Sequence, residues 1–276
     1  MSPPRITIRP ATEPDIPAFV KIGQRAFGKD AIAQSFFPAS REPDPAKRLD
    51  DEFRWRSMRA RNALRHKRRR NFVAVEGPDN AAAGETAQGE TAQGPDNDDS
   101  GGGSGTIVGW AAWELMELPE GQTPMTKGEL DAEFEEIARY WPASVDKDAV
   151  KSFFGVMEEE VEKIVGKNGD DGMWSKLCQS LALVNCRLTC VAALHSLAVD
   201  PAHQRKGIGR SLLDWGIETA KKENRDVSVV SSEQGRALYL GAGFEQLGSF
   251  ELFGERHYPM ILKSSKNAPS YGNETV

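Results

Sequence analysis

Residues 197–213 read Leu-Ala-Val-Asp-Pro-Ala-His-Gln-Arg-Lys-Gly-Ile-Gly-Arg-Ser-Leu-Leu. An apolar run ends at Asp200-Pro201. A turn of the form Gln-x-x-Gly-x-Gly follows through Gln204, Arg205, Lys206, Gly207, Ile208 and Gly209, and apolar spacing then predicts a helix over about 208–222. Glycines at such a junction let a ligand approach the backbone, and the first amides of the helix lack partners within it. Together with the helix dipole they form a site for an anion of pyrophosphate type. Arg205, Lys206 and Arg210 add positive charge there. The Gly-x-x-x-x-Gly-Lys-Ser/Thr form of a P-loop is absent, and the Gly-x-Gly-x-x-Gly order of a dinucleotide site fails.

Other reactive side chains are few. His195 lies on the apolar run that feeds the turn, either as a buried, hydrogen-bonded residue or as a base. Cys190, on the same run, has no adjacent group to activate a thiolate and reads as a small core residue. Glu114 reads as a strand-end carboxylate, with a role as reserve base second to that. Trp110 and Trp113 read as core, with an aromatic substrate wall as the alternative. Three cysteines without a Cys-x-x-Cys pair and four histidines give neither a disulfide scaffold nor a zinc finger, so no metal is expected.

The elements that would position these groups follow from periodicity. Arg5–Arg9 alternates as a strand that Pro10 stops, and Thr12 with Asp15 three residues on marks a helix start before Ile16, Phe19, Val20 and Ile22. A proline-containing loop (Pro38, Pro43, Pro45) leads to an expected helix over 46–70. Its stretch Arg54–Arg70 holds nine Arg or Lys and no acid. A solvated helix end is the expected role, and a nuclear-localisation or nucleic-acid patch is the rival. Strands are expected at 71–76 and 106–115. Between them, 77–105 repeats Gly-Pro-Asp-Asn and Gly-Glu-Thr-Ala-Gln and ends in a Gly-Ser run. Such a segment cannot bury enough area to offset its ordering entropy, so it reads as a disordered loop of an expanded hairpin. Residues 117–185 read as acidic helices with apolar stripes at Leu130–Trp141, at Val150–Val165 and from Trp174 to Leu181. Strands at about 188–199 and 227–231, a helix at about 233–240 and a terminal strand pair complete the pattern.

The chain has 276 residues, 39% apolar and 28% charged, with a net charge of −6. No apolar run reaches the length of a membrane span, and Met1–Arg9 lacks a secretory h-region. Neither a membrane nor nucleic acid is an expected partner. The expected compartment is the cytoplasm, with the nucleus allowed by the basic stretch. The sequence sets no oligomeric state.

The turn at Gln204–Gly209 after Leu197-Ala198-Val199, together with Leu238-Tyr239-Leu240-Gly241-Ala242-Gly243-Phe244, resembles two motifs of the GNAT superfamily of acetyl-CoA-dependent N-acetyltransferases. Ile8-Arg9-Pro10-Ala11-Thr12 is a weaker third match. The resemblance implies a mixed α/β (α+β) fold: a mostly antiparallel sheet with helices on both faces and splayed parallel fourth and fifth strands. It implies one domain over 1–264, with a low-complexity insertion at 77–105, an acidic helical insertion at 117–185 and a flexible tail at 265–276. The cosubstrate would be acetyl-CoA. Its pantetheine would lie along Leu197, Ala198 and Val199, its pyrophosphate on the amides of Arg205–Arg210, and Ser232 would face the pantetheine. Tyr239 falls where the family has its usual general acid. His195 falls where one of two strand histidines stands in the arylalkylamine branch; the position of the other is Ala193, where many members carry a glutamate.

The implied function is transfer of acetyl to a primary amine in a ternary complex. The acidic 117–171 region, with 15 Asp or Glu against six Lys or Arg, either rims the cleft and favours a small cationic acceptor or only solvates outer helix faces. The missing partners of His195 support one alternative, an inactive CoA-binding or regulatory protein, and because the sequence does not name the acceptor, an acetyltransferase for protein lysines or N-termini is the other. If 77–105 carries no core residues, deleting Ala81–Ser104 will leave cooperative unfolding and acetyl-CoA affinity nearly intact. Denaturant melts and calorimetry check this, and a non-cooperative melt would make the segment structural.

Overall fold

In the computed structural model the described residues are 5–77, 105–115, 126–166, 190–224 and 226–263. The edge strand β1 (Ile6–Pro10) keeps Pro10 as its last residue instead of stopping before it, because a strand end on a sheet edge tolerates the lost N–H. A short 3-10 turn follows at Glu13–Asp15. Its Asp15 carboxylate accepts from the Thr12 amide (2.7 Å) and from both ends of the Arg9 guanidinium (2.7 and 2.8 Å). That tie fixes the entry of α1 (Ile16–Phe27), whose inner face is Ile16, Phe19, Val20, Ile22 and Gly23.

A short helix α2 (Ala31–Phe36) precedes the proline loop, and α3 runs from Pro45 to Arg65. Pro45 occupies the first turn of α3, where its missing N–H costs nothing, and Asp44 caps it by accepting from Ala46 N. The expected helix over 46–70 therefore ends early. Arg69 and Arg70 already belong to β2 (Arg69–Glu76), which pairs antiparallel with β3 (Thr106–Leu115). Glu76 opposite Thr106 places the two strands at either end of the low-complexity segment, which itself lies outside the described residues apart from its end residues Gly77 and Gly105.

Helices α4 (Lys127–Ala138) and α5 (Lys147–Gly166) carry the first two acidic-region stripes. The third, from Trp174 to Leu181, lies outside the described residues. Then come β4 (Cys190–Val199), a 3-10 turn at Pro201–His203, α6 (Ile208–Glu223), β5 (Asp226–Ser232), α7 (Glu233–Gly241), β6 (Glu245–Gln246), β7 (Phe250–Leu252) and β8 (Glu255–Leu262). The sheet order is β1-β2-β3-β4-β5-β8-β6, with β7 also on β8. Of the pairings described, β4–β5 is parallel and the rest antiparallel. The fold is mixed α/β, with helices on both faces.

Strand alternation sorts the core onto those faces. Ala74, Val108, Ala111, Trp113 and Leu194 meet Leu212, Leu213 and Ile217 of α6, whereas Val73 meets Ile16, Phe19 and Val20 of α1 on the other side. Trp113 is fully buried, so its expected alternative as a substrate wall does not hold. Gly216 of α6 lies against the Trp113 ring, and a Cβ there would stand 2.1 Å from Trp113 Cη2. Glycine is what lets the helix lie this close to the sheet. Gly216→Val will destabilise the fold by about 1–3 kcal/mol through overpacking, read as a lower urea midpoint; an unchanged midpoint would show that α6 can move outward at no cost.

Candidate active site

The functional site starts where β4 and β5 stop pairing. Their register runs from Cys190↔Asp226 to Leu194↔Val229 and goes no further, although β4 continues to Val199 and β5 to Ser232. The strands part, and polar backbone of His195–Val199 on the β5 side is left without a sheet neighbour. A cavity of about 2090 Å³ fills the opening and continues past the turn after β4 to α1, α3, α4 and α5.

On one side of the cavity stands the turn. Gly207 has φ +81° and Arg205 φ +65°, both left-handed, and a Cβ on Gly207 would meet nothing within 4 Å. The first helical bond of α6 is donated by Ser211 N to Gly207 O (3.1 Å), which leaves the amides of Ile208, Gly209 and Arg210 without helical partners. Gln204 donates to Val199 O (3.1 Å), tying the turn back to the end of β4. Gly209 packs tightly beneath Leu238 of α7. Arg205 and Arg210 line the cavity, whereas Lys206 is exposed and does not. The Arg210 guanidinium already pairs with Asp214 (2.8 Å) and donates to Gly241 O (3.3 Å), so it ties α6 to α7. An open, amide-rich cradle of this kind fits a pyrophosphate.

Across the opening, Leu197, Ala198 and Val199 face Val230, Ser231 and Ser232. The Ser232 hydroxyl caps α7 by accepting from Gly235 N (3.3 Å). Tyr239 on α7 lines the cavity with little exposure and packs edge-on to Phe244. Burial raises its pKa, so the phenol holds its proton at neutral pH.

His195 occupies a β-bulge. Ala112 pairs with Ser196 and Trp113 with Leu194, which leaves His195 without a partner on β3 and turns its ring toward the neighbouring carboxylate. That carboxylate is Glu114, fully buried, with Arg68 Nη2 at 2.7 Å, Arg69 Nη2 at 3.0 Å and His195 Nε2 at 2.7 Å. Burial opposes its charge, but His195, Arg69 and Arg68 outweigh burial and hold its pKa down at about 2. A carboxyl so acidic is a poor proton acceptor, which removes Glu114 from the role of reserve base. His195 itself is lowered by burial and by Arg69, against the pull of Glu114, so its ring is neutral near pH 7. Nε2 facing a carboxylate keeps the proton, and Nδ1 carries the free lone pair.

The basic stretch is thus not uniformly solvated. Arg68 and Arg69 turn inward onto Glu114, and Arg59 lies over the Trp55 ring on the cavity wall. The sequence held a signal for Arg59, which stands one helical turn beyond the anchoring Trp55. For Arg68 and Arg69 the signal was strand register opposite Glu114. Trp110 lines the cavity beside Phe19 and Gly23. Among the described residues no His/Cys/Asp/Glu group could hold a metal ion, and no helix is long and apolar enough to cross a membrane.

Residues 151–246 match the family model described as an acetyltransferase (GNAT) domain. A protein of Stachybotrys chartarum called "Acetyltransferase" is 34% identical over 54 residues, which are 20% of this chain and 24% of that protein. The match thus spans about a quarter of that curated relative. A Corynebacterium glutamicum structure described as histone acetyltransferase HPA2 and related acetyltransferase is similar at 17% identity and TM-score 0.49, covering 96% of this chain and 98% of that one. A Drosophila melanogaster polyamine N-acetyltransferase, described as forming N-acetylagmatine, is similar at 13% identity and TM-score 0.49, covering 94% and 100%.

If the cradle binds the pyrophosphate of acetyl-CoA, Gly207→Glu will put a carboxylate and a strained backbone at its mouth. Calorimetry on the folded variant will show acetyl-CoA binding weakened by about 2–5 kcal/mol. Unchanged affinity would mean that the turn is not the phosphate site.

Proposed function

We propose that this protein is an N-acetyltransferase that moves acetyl from acetyl-CoA to a primary amine, a small cationic one, by direct attack in a ternary complex. One observation carries the reading: a single cavity joins the amide-rich turn, the parted strands β4 and β5 and the neutral His195. Bound acetyl-CoA would supply the activated thioester, held by the amides of Ile208, Gly209 and Arg210 and by the backbone of Leu197, Ala198 and Val199. The β4 amides freed from β5 polarise the carbonyl under attack. His195 Nδ1 takes the proton that the amine sheds as its N–C bond forms, and Tyr239 Oη gives one to the sulfur as the C–S bond breaks. Glu114 stabilises the imidazolium that results. The preference for a cation rests on Glu133, on Asp131 and Glu159, which line the acceptor half of the cavity paired with Lys151 and Lys163, and on Asp30, whose pKa is raised to about 6 by burial and by Glu255.

An amine panel read by thiol release tests this. Spermidine and tryptamine should exceed glutamate in kcat/KM, and their advantage should shrink as salt rises. His195→Gln and Tyr239→Phe should each lower kcat by about 10²–10⁴-fold with acetyl-CoA affinity retained. The acid limb of kcat/KM that reports His195 should lie below the ordinary 6.5, since protonation of a base with a lowered pKa comes at lower pH. A folded protein that binds acetyl-CoA and acetylates nothing in the panel would be a binding protein instead.

A further inference from the structure

The arginines in the second half of α3 differ in one respect. Arg54 pairs with Asp50, Arg56 with Glu52, and Arg61 and Arg65 both reach Glu13. Among the described residues Arg59 has no carboxylate within ion-pair distance. Its guanidinium carbon lies 4.5 Å from the centre of the Trp55 ring and 5.7 Å from that of Phe154, so it is held between α3 and α5 on the wall of the cavity. Its side chain stays open to the solvent that fills the cavity, and its field, after burial and Arg69, is one of the influences that lower the pKa of His195. The site therefore keeps an uncompensated cation, stacked on aromatic faces and close enough to be felt at the proposed base.

A guanidinium held in this way has its fork of donors preset for a planar anion, and a carboxylate matches that fork with two parallel hydrogen bonds. Yet acidic side chains line the same half of the cavity: Glu133, Asp131 paired with the lining Lys151 (3.2 Å), and Glu159 paired with Lys163 (2.7 Å), with Asp30 further along the wall. A simple diamine would satisfy the acids and leave Arg59 unpaired. A simple acidic amine would satisfy Arg59 and oppose the acids. An acceptor carrying a carboxylate beside two amino groups satisfies both.

We infer that Arg59 is the carboxylate subsite of the acceptor pocket and that the acceptor is a basic amino acid, one amine being acetylated while the other faces the acidic wall. The inference rests on the amine-acetyltransferase reading and narrows its substrate class. Arg59 selects the acceptor and orients it, and takes no part in the proton transfers.

Matched pairs that differ only in the carboxylate test this: ornithine against putrescine, and lysine against cadaverine. The wild-type protein should favour the amino acid of each pair in kcat/KM. In Arg59→Gln the ratio should fall by about 10–100-fold, the worth of a charge-assisted bidentate contact. Arg61→Gln, which alters a residue paired with Glu13 outside the cavity, should leave the ratio unchanged. Calorimetry of ornithine and putrescine on the CoA-saturated protein gives the same comparison without turnover. A ratio of one in the wild type, or the same ratio in Arg59→Gln, overturns the subsite. Arg59-dependent binding of ornithine without acetylation of either compound keeps the subsite and removes the acetyltransferase reading.

Discussion

Glu114 is fully buried, and a carboxylate taken out of water must find compensating charge inside the protein. Much of the acceptor half of the molecule follows from that requirement. Arg68 and Arg69 turn in from the start of β2, which ends the basic helix at Arg65 and converts the last residues of a positively charged run into strand. The β4 bulge brings His195 to the same carboxylate, so three strands are joined through one side chain. Its two oxygens serve Arg68, Arg69 and His195 together. Burial and the charge of Arg69 outweigh the pull of Glu114 and keep the imidazole neutral.

The second constraint is spatial. A parallel pair in the middle of a sheet would close over its own backbone, but β4 and β5 separate after Leu194 and Val229, and the cavity opens between them. They can part because each is held from outside the gap. On one side β3 and α6 hold β4, with Gly216 seated on Trp113; on the other β8 pairs with β5 along Val227–Ser232. Rigid flanks around an unpaired centre keep the amides of the turn and the side chains of β4 and α7 at fixed separation, the arrangement that preorganised catalysis needs.

The amide-rich turn was legible in the sequence because its determinants are local. Strand, Asp-Pro, glycines and amphipathic helix lie within residues 197–213, and both left-handed turn residues fall inside the motif. Tyr239 was legible for the same reason, within a short Leu-Tyr-Leu-Gly-Ala-Gly-Phe run. The acceptor half was not. Whether Arg59, Arg68 and Arg69 face solvent or the cavity depends on where α3 ends and which residue of β3 lies opposite, and composition of the basic stretch carries neither fact. Glu114 read as a strand-end carboxylate because its partners are distant in sequence, at 68, 69 and 195. Pro10, by contrast, marks the end of β1 as a local rule expects, and it can join the strand as its last residue because β1 is an edge strand.

The two halves differ in how strictly they fix a ligand. The turn offers backbone amides to a ligand, and almost any side chains can surround such a site so long as the left-handed positions are kept. Recognition on the acceptor side runs through side chains of α3, α4 and α5 and of the α1–α2 connection, and each substitution there changes the charge pattern directly. Arg59, without a carboxylate among the described residues, and Glu133, Asp131 and Glu159, the last two paired with lysines, form a pattern that solvation of outer helix faces does not account for, because these groups line a cavity. The pattern is one of alternating sign across a few residues. That favours ligands which themselves carry both signs at short spacing over ligands with a single kind of charge.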